Sequence, residues 1–320
     1  MFDVQSTLMT DDDPLPDLIK ALRSEAVAER LRAAKDLGRL GWLAREAMPA
    51  LIAVLADKDT KVREAAAQAV GQMGPEALPT LSSMLGHHDK YVRRHAVWAM
   101  GKLGPLARPA LRDLCESLKD PDPRTASGAA QALGQLGTDG AAAVPALTEA
   151  MRGTNIVLCR LAAKALSQIG SPALPALIAH LQHSDPFVRG ESAMAIGWMG
   201  PIAQPAVPLL AGIVRGPRTT SHSVAALFPD ILSPPRSGVI AADSDCDSDH
   251  TNSPTPPQVP TEPVEASTPE EACRVYAAQA LGRLGPAAEP ALDDLREAIR
   301  TGFDALRRAA QQSIRQIQGA

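Results

Sequence analysis

The side chains that could do chemistry in this chain are few, and most lack the partners that chemistry needs. Asp243, Asp245 and Asp247 alternate in DSDCDSDH like the first ligands of a calcium loop, but the sixth position is Ser248 rather than Gly and the twelfth is Pro254 rather than Glu. A solvated acidic run explains them. His87 with His88, and His180 with His183 near Asp185, could hold a metal on paper, yet histidines at loop edges are more often solvated, so no metal is expected. Cys115, Cys159, Cys246 and Cys273 are scattered, with no Cys-x-x-Cys pair for zinc or redox work. No Gly-x-Ser-x-Gly, phosphate-binding loop or paired carboxylates occur. No catalytic residue and no cofactor is therefore assigned.

What remains is chemistry of recognition. Lys35 and Arg39; Arg94, Trp98 and Lys102; Arg160 and Lys164; Met194 and Trp198; Arg283; and Arg308 recur at matching places. Cations beside large aromatic or thioether side chains suit the binding of an acidic surface.

Their common frame is a repeat. VREAAAQAVGQMGPEALP, residues 62–79, returns along nearly the whole chain, and its first Gly gives the anchors Gly38, Gly71, Gly101, Gly134, Ser167, Gly197, Gly282 and Arg315. Adjacent anchors lie 30 or 33 residues apart except for one interval of 85. Such periods belong to helical solenoids. The recognition residues sit seven before, three before and one after the anchor, which puts them on one side of a helix.

Each unit reads as two helices. The second opens on a capping side chain (Asp59, Asp89, Asp122, Asn155, Asp185), passes an Arg slot eight before the anchor, and ends at a second Gly suited to a left-handed helix end (Gly41, Gly74, Gly104, Gly137, Gly170, Gly200, Gly285). The predicted second helices cover about 27–40, 60–73, 90–103, 123–136, 156–169 and 186–199, then resume near 270. The first helix of each following unit carries Pro49, Pro79, Pro109, Pro145, Pro175, Pro205 or Pro290, either at its first position or as a kink one turn in.

The pattern VRxxAAxALGxLGxxAxPAL resembles the HEAT-like repeat described in phycobilisome lyases, over residues 17–215 and 270–318. The resemblance implies an all-α solenoid of about eight helix pairs whose second helices line a concave surface, which would make the cationic row the floor of a groove. It also implies an alternative activity: a bilin lyase-like subunit acting on an antenna protein, with Arg on tetrapyrrole propionates and Trp against the rings. Iron-binding HEAT enzymes of the deoxyhypusine hydroxylase type carry recurring His-Glu pairs, and no His-Glu dipeptide occurs here. Ala126 and Cys159 replace the Arg of the slot in units four and five, so a ladder of Asp and Arg contacts should break there.

Composition sets the rest. The 320 residues are 45% apolar but only 3% aromatic, as a core of Ala, Leu and Val requires. The formal charge of −4 divides unevenly: residues 1–17 and 216–269 are each five negative, leaving the repeats six positive. The expected organisation is an acidic disordered start (1–16), repeats one to seven (17–215, ending in the first helix of seven), a disordered insertion (216–269) holding ten of the 28 prolines, and the rest of seven with eight (270–320). Within the insertion, residues 223–232 form an apolar island, and its acidic run has the reach to lie over the cationic row and compete with partners. No run approaches the roughly 18 apolar residues of a membrane span, and no signal peptide opens the chain, so a cytoplasmic site is expected. Nucleic acid fits less well than an acidic protein or peptide, because the row lacks dense phosphate-binding clusters.

Overall fold

The computed structural model describes residues 14–216 and 266–319, residue 267 excepted. The acidic start, the apolar island, the calcium-like run and the contact between insertion and groove all lie outside the described residues.

The described residues form eight helix pairs in chain order: α1 (Leu15–Ala21) with α2 (Val27–Leu40), α3 (Met48–Val54) with α4 (Thr60–Gln72), α5 (Leu78–Met84) with α6 (Lys90–Leu103), and α7 (Leu111–Ser117) with α8 (Pro123–Gln135). They continue with α9 (Val144–Met151) and α10 (Ile156–Ile169), α11 (Leu174–His180) and α12 (Pro186–Met199), α13 (Val207–Arg215) and α14 (Pro269–Leu284), and α15 (Leu292–Thr301) and α16 (Asp304–Gln318). No strand occurs among the described residues. The chain is an α-solenoid. α13 packs on α14 although 53 residues separate them in sequence, and Arg274 donates to the carbonyls of Val214 and Arg215.

Most second helices, α2 and α16 excepted, start where a short polar side chain accepts from the otherwise unpaired first amides. Asp59, Asp89, Asp122, Asn155 and Asp185 accept from amides one turn in, as their spacing predicts. The second glycines do take positive φ, but not the left-handed helical form: Gly74 is at φ +94, ψ −168 and Gly200 at φ +65, ψ −147. That backbone region is open to glycine alone. It turns the chain sharply into a 3-10 segment before the first helix of the next unit.

Those 3-10 segments decide the place of the prolines. Pro49, Pro79, Pro145 and Pro175 stand at the start of the short α-helix, where an N–H has no helical partner to lose. Pro109, Pro205 and Pro290 lie inside the 3-10 turn ahead of it. The first helices are therefore shorter than their apolar pattern predicts; 202–215 divides into a turn and α13. The apolar window 186–215 is likewise two helices broken at Gly200, not one membrane-length rod.

One leucine in each first helix from α3 to α15 holds the layers together. Leu51, Leu81, Leu114, Leu147, Leu177, Leu210 and Leu295 are all fully buried against the alanine-rich faces of the second helices. Truncating any one to Ala costs about 2–5 kcal/mol in comparable cores.

Candidate functional site

The anchor glycines set the geometry of the face. An added Cβ at Gly134 would stand 2.9 Å from Ala165 Cα, at Gly197 2.9 Å from Ala280 Cα, and at Gly282 2.8 Å from Ser313 Cα. Second helices thus touch backbone to side chain along the array, whereas first helices meet one another sparsely. The second helices are thus the more closely packed of the two layers. The residue one after each anchor lies over the preceding anchor: Gln72 over Gly38, Lys102 over Gly71, Gln135 over Gly101, Gln168 over Gly134 and Gln316 over Gly282.

Along the edge where first helices turn into second helices, the Arg slot ties each unit to itself and to the next. Arg30 donates to the carbonyls of Ser24 and Glu25 and, through Nε and Nη2, to Asp57 of the next pair at 2.7 and 2.9 Å. Arg93 repeats this with His87, His88 and Asp120. Arg189 caps His183 and Ser184 and reaches Glu270. Burial alone would raise the Asp57 carboxyl, but the Arg30 hydrogen bond holds it below the usual range. Where unit three carries His87 in the place of Asp57, Arg63 loses its carboxylate: its Nε has no partner and its guanidinium lies 4.4 Å from the Tyr91 ring. The break at Cys159 is repaired in part, since its thiol donates to the carbonyls of Ala150 and Gly153.

This edge also accounts for two of the histidines. His87 Nδ1 and His183 Nδ1 accept from the amides of Asp89 and Asp185, as Asp57 and Asp120 do at equivalent turns. No group of three metal-ligating side chains occurs among the described residues. Burial, then Arg63 and Arg94, lower His95 to about 4, so it is neutral at physiological pH. Burial pushes the Cys159 and Cys273 thiols up to about 11, which leaves neither as a thiolate nucleophile.

The cationic row itself is less uniform than its sequence. Lys35 and Arg39 are exposed beside a recess of about 220 Å³ between α2 and α4, with Arg39 on Asp36 at 2.7 Å. Arg94 is not on open surface: its side chain is 17% exposed, and its Nε and Nη2 hold Asp122 at 2.6 and 2.5 Å. Arg160 donates to Glu191 at 3.1 Å. Met194 is 2% exposed, covered by neighbouring α14 rather than facing a partner. Arg308 is exposed on α16.

Trp98 and Trp198 are half-buried, packed on the core with part of each ring facing out. Lys102 Nζ stands 5.0 Å from the Trp98 ring, and the Arg283 guanidinium 6.0 Å from the Trp198 ring. Arg283 also donates to Met194 Sδ at 3.6 Å, and burial lowers its pKa with no carboxylate to offset it. Lys35, Lys102, Lys164 and Arg283 have no carboxylate partner among the described residues, unlike Arg39, Arg94 and Arg160.

Two residues escaped sequence reasoning. Glu191 is 2% exposed and its carboxyl is raised by burial, against which Arg160 pulls it down; a lone acid inside the small-residue run GESAMAIG was the available signal. Trp42, 62% exposed, follows Gly41 on a 3-10 turn and has no periodic partner to reveal it.

A family model described as HEAT repeats matches residues 15–88, 79–157 and 144–227, and one described as PBS lyase HEAT-like repeat matches 274–301. No curated protein matches the chain. Among solved structures it is similar to human deoxyhypusine hydroxylase in complex with glycerol, at 18% identity over 96% of each chain with a TM-score of 0.35. It is similar to a designed armadillo repeat protein in complex with the peptide (KR)4, at 18% identity over 58% of this chain and 99% of that one, TM-score 0.40. The complex of CpcE and CpcF of phycocyanin lyase from Nostoc sp. PCC7120 is 21% identical over 47% of this chain and 98% of that one, TM-score 0.40.

Proposed function

We propose that this chain, which belongs to the HEAT-repeat family, is a non-catalytic scaffold that binds an acidic protein or peptide along the inner face of its second helices. One observation carries the reading: among the described residues Lys35, Lys102, Lys164 and Arg283 lie along that face without a carboxylate partner, whereas the arginines of the neighbouring edge are neutralised by Asp57, Asp120 and Glu270. A row of unneutralised cations attracts an acidic partner and repels a basic one. Gln72, Gln135 and Gln168 lie exposed in the same row, and an amide both donates and accepts, which tolerates many sequences in a bound peptide.

An oligoglutamate peptide titrated into the protein should bind with an affinity that falls as salt rises. Reversing Lys102, Lys164 and Arg283 together to Glu should weaken it at least about tenfold, at roughly 1.4 kcal/mol per factor of ten. Equal affinity in the wild type and the triple variant would reject the face.

A bilin lyase-like role is the second reading. The PBS lyase HEAT-like match includes Arg283, and a guanidinium beside the Trp198 ring offers the pairing that a propionate-bearing tetrapyrrole needs. Mixing the protein with free bilin and recording its absorbance separates the two: an unchanged bilin spectrum removes this reading.

A further inference from the structure

Two places on the inner face repeat one chemical composition. In α6 the Trp98 ring carries Lys102 Nζ at 5.0 Å, and across α12 and α14 the Trp198 ring carries the Arg283 guanidinium at 6.0 Å. Each is a half-buried aromatic plane beside a cation with no carboxylate partner among the described residues. The other tightly held arginines of the row, Arg94 and Arg160, already have Asp122 and Glu191. Between the two places the row reads Ser127, Gln131, Gln135, Arg160, Lys164 and Gln168, with no acidic residue of its own. A ligand crossing the gap therefore meets neutral side chains, the Lys164 ammonium and an Arg160 already held by Glu191. The register also fixes the gap, because α6, α8, α10 and α12 pack in succession.

We infer that Trp98 with Lys102 and Trp198 with Arg283 are matched anchor points for one extended acidic segment, each taking a carboxylate together with an adjoining apolar side chain. The inference rests on the scaffold reading above and adds a spacing to it. Three helix steps at about 8–10 Å each separate the tryptophans by roughly 24–30 Å. An extended peptide rises about 3.3 Å per residue, so its two anchors lie roughly seven to nine residues apart.

Joining two anchors converts the second contact into an intramolecular one, and avidity then depends on the length of the joining chain. The probes are synthetic peptides with one Glu-Leu block, or with two Glu-Leu blocks whose glutamates are four, eight or fourteen residues apart across Gly-Ser. Binding is read from tryptophan emission and from calorimetry. The eight-residue peptide should bind at least about tenfold tighter than the single block, and the four-residue peptide no tighter than the single block. Lys102→Ala and Arg283→Gln, each of which removes the cation beside its tryptophan and leaves the ring itself unchanged, should each reduce the eight-residue peptide to single-block affinity. Double-block peptides that all bind alike, with the usual salt dependence, would overturn the spacing and leave the acidic-scaffold reading standing. No salt-dependent binding by any peptide would remove both.

Discussion

Gly197→Val should melt the array between its sixth and seventh units. The valine Cβ would stand 2.9 Å from Ala280 Cα and 3.1 Å from Ala280 Cβ, and neither atom can rotate away. α12 and α14 must then move apart, and overpacking of this kind costs about 1–3 kcal/mol, with the upper end expected because the obstacle is backbone. Each unit of a solenoid is stabilised by its neighbours, so the loss concentrates at that joint. Hydrogen exchange should show α12 and α14 opening while α2 and α4 keep their protection. Gly71→Ala is the contrast, since the nearest atoms to its Cβ would be Lys102 Cβ at 3.3 Å and Ala99 O at 3.4 Å, with no backbone carbon inside 3.8 Å, and it gains helix propensity worth about 1 kcal/mol. Equal destabilisation by both would mean that the contact between units is as unyielding at Gly71 as at Gly197.

Asp122→Ala should be the most costly change to a charged side chain. Its carboxylate caps α8 through Thr125 N and Oγ1 at 2.9 and 2.8 Å while holding both donors of Arg94 from the preceding pair. Removing it takes away a cap worth about 0.5–2 kcal/mol and strands a largely buried guanidinium, for a total of about 3 kcal/mol by analogy with broken buried pairs. Asp122→Asn keeps the cap and should cost about half as much. Burial pushes the Asp122 carboxyl up, but Arg94 and Thr125 bring it down to about 2. A depressed carboxyl stabilises the fold above its unfolded value, and that contribution disappears as pH falls from about 4 to about 2. Acid unfolding followed by circular dichroism should therefore be shallower in Asp122→Asn than in wild type. Glu191 has the opposite sign: its raised pKa makes ionisation costly, so its contribution is lost as pH rises through that value.

Period and polarity were enough to find the units. Capping Asp and Asn residues marked five second helices because an N-cap is a local bond between residues two or three apart. The second glycines marked the turns, because a positive φ is a local demand. Prolines showed where first helices begin but not how, since the 3-10 segments depend on where the next unit pulls the chain.

The recognition row was legible only as a row. Its spacing put Arg94, Arg160, Met194 and Arg283 on the same helical side, and nothing local distinguished them. Contacts between units did: Asp122 and Glu191 come from the following pair, and α14 covers Met194 with a residue 89 positions away. A solenoid's helices are written by short-range pattern. Which of their cations are already neutralised, and which are left without a carboxylate, is decided by side chains that only stacking brings within 4 Å, and the chain order of one unit does not contain them.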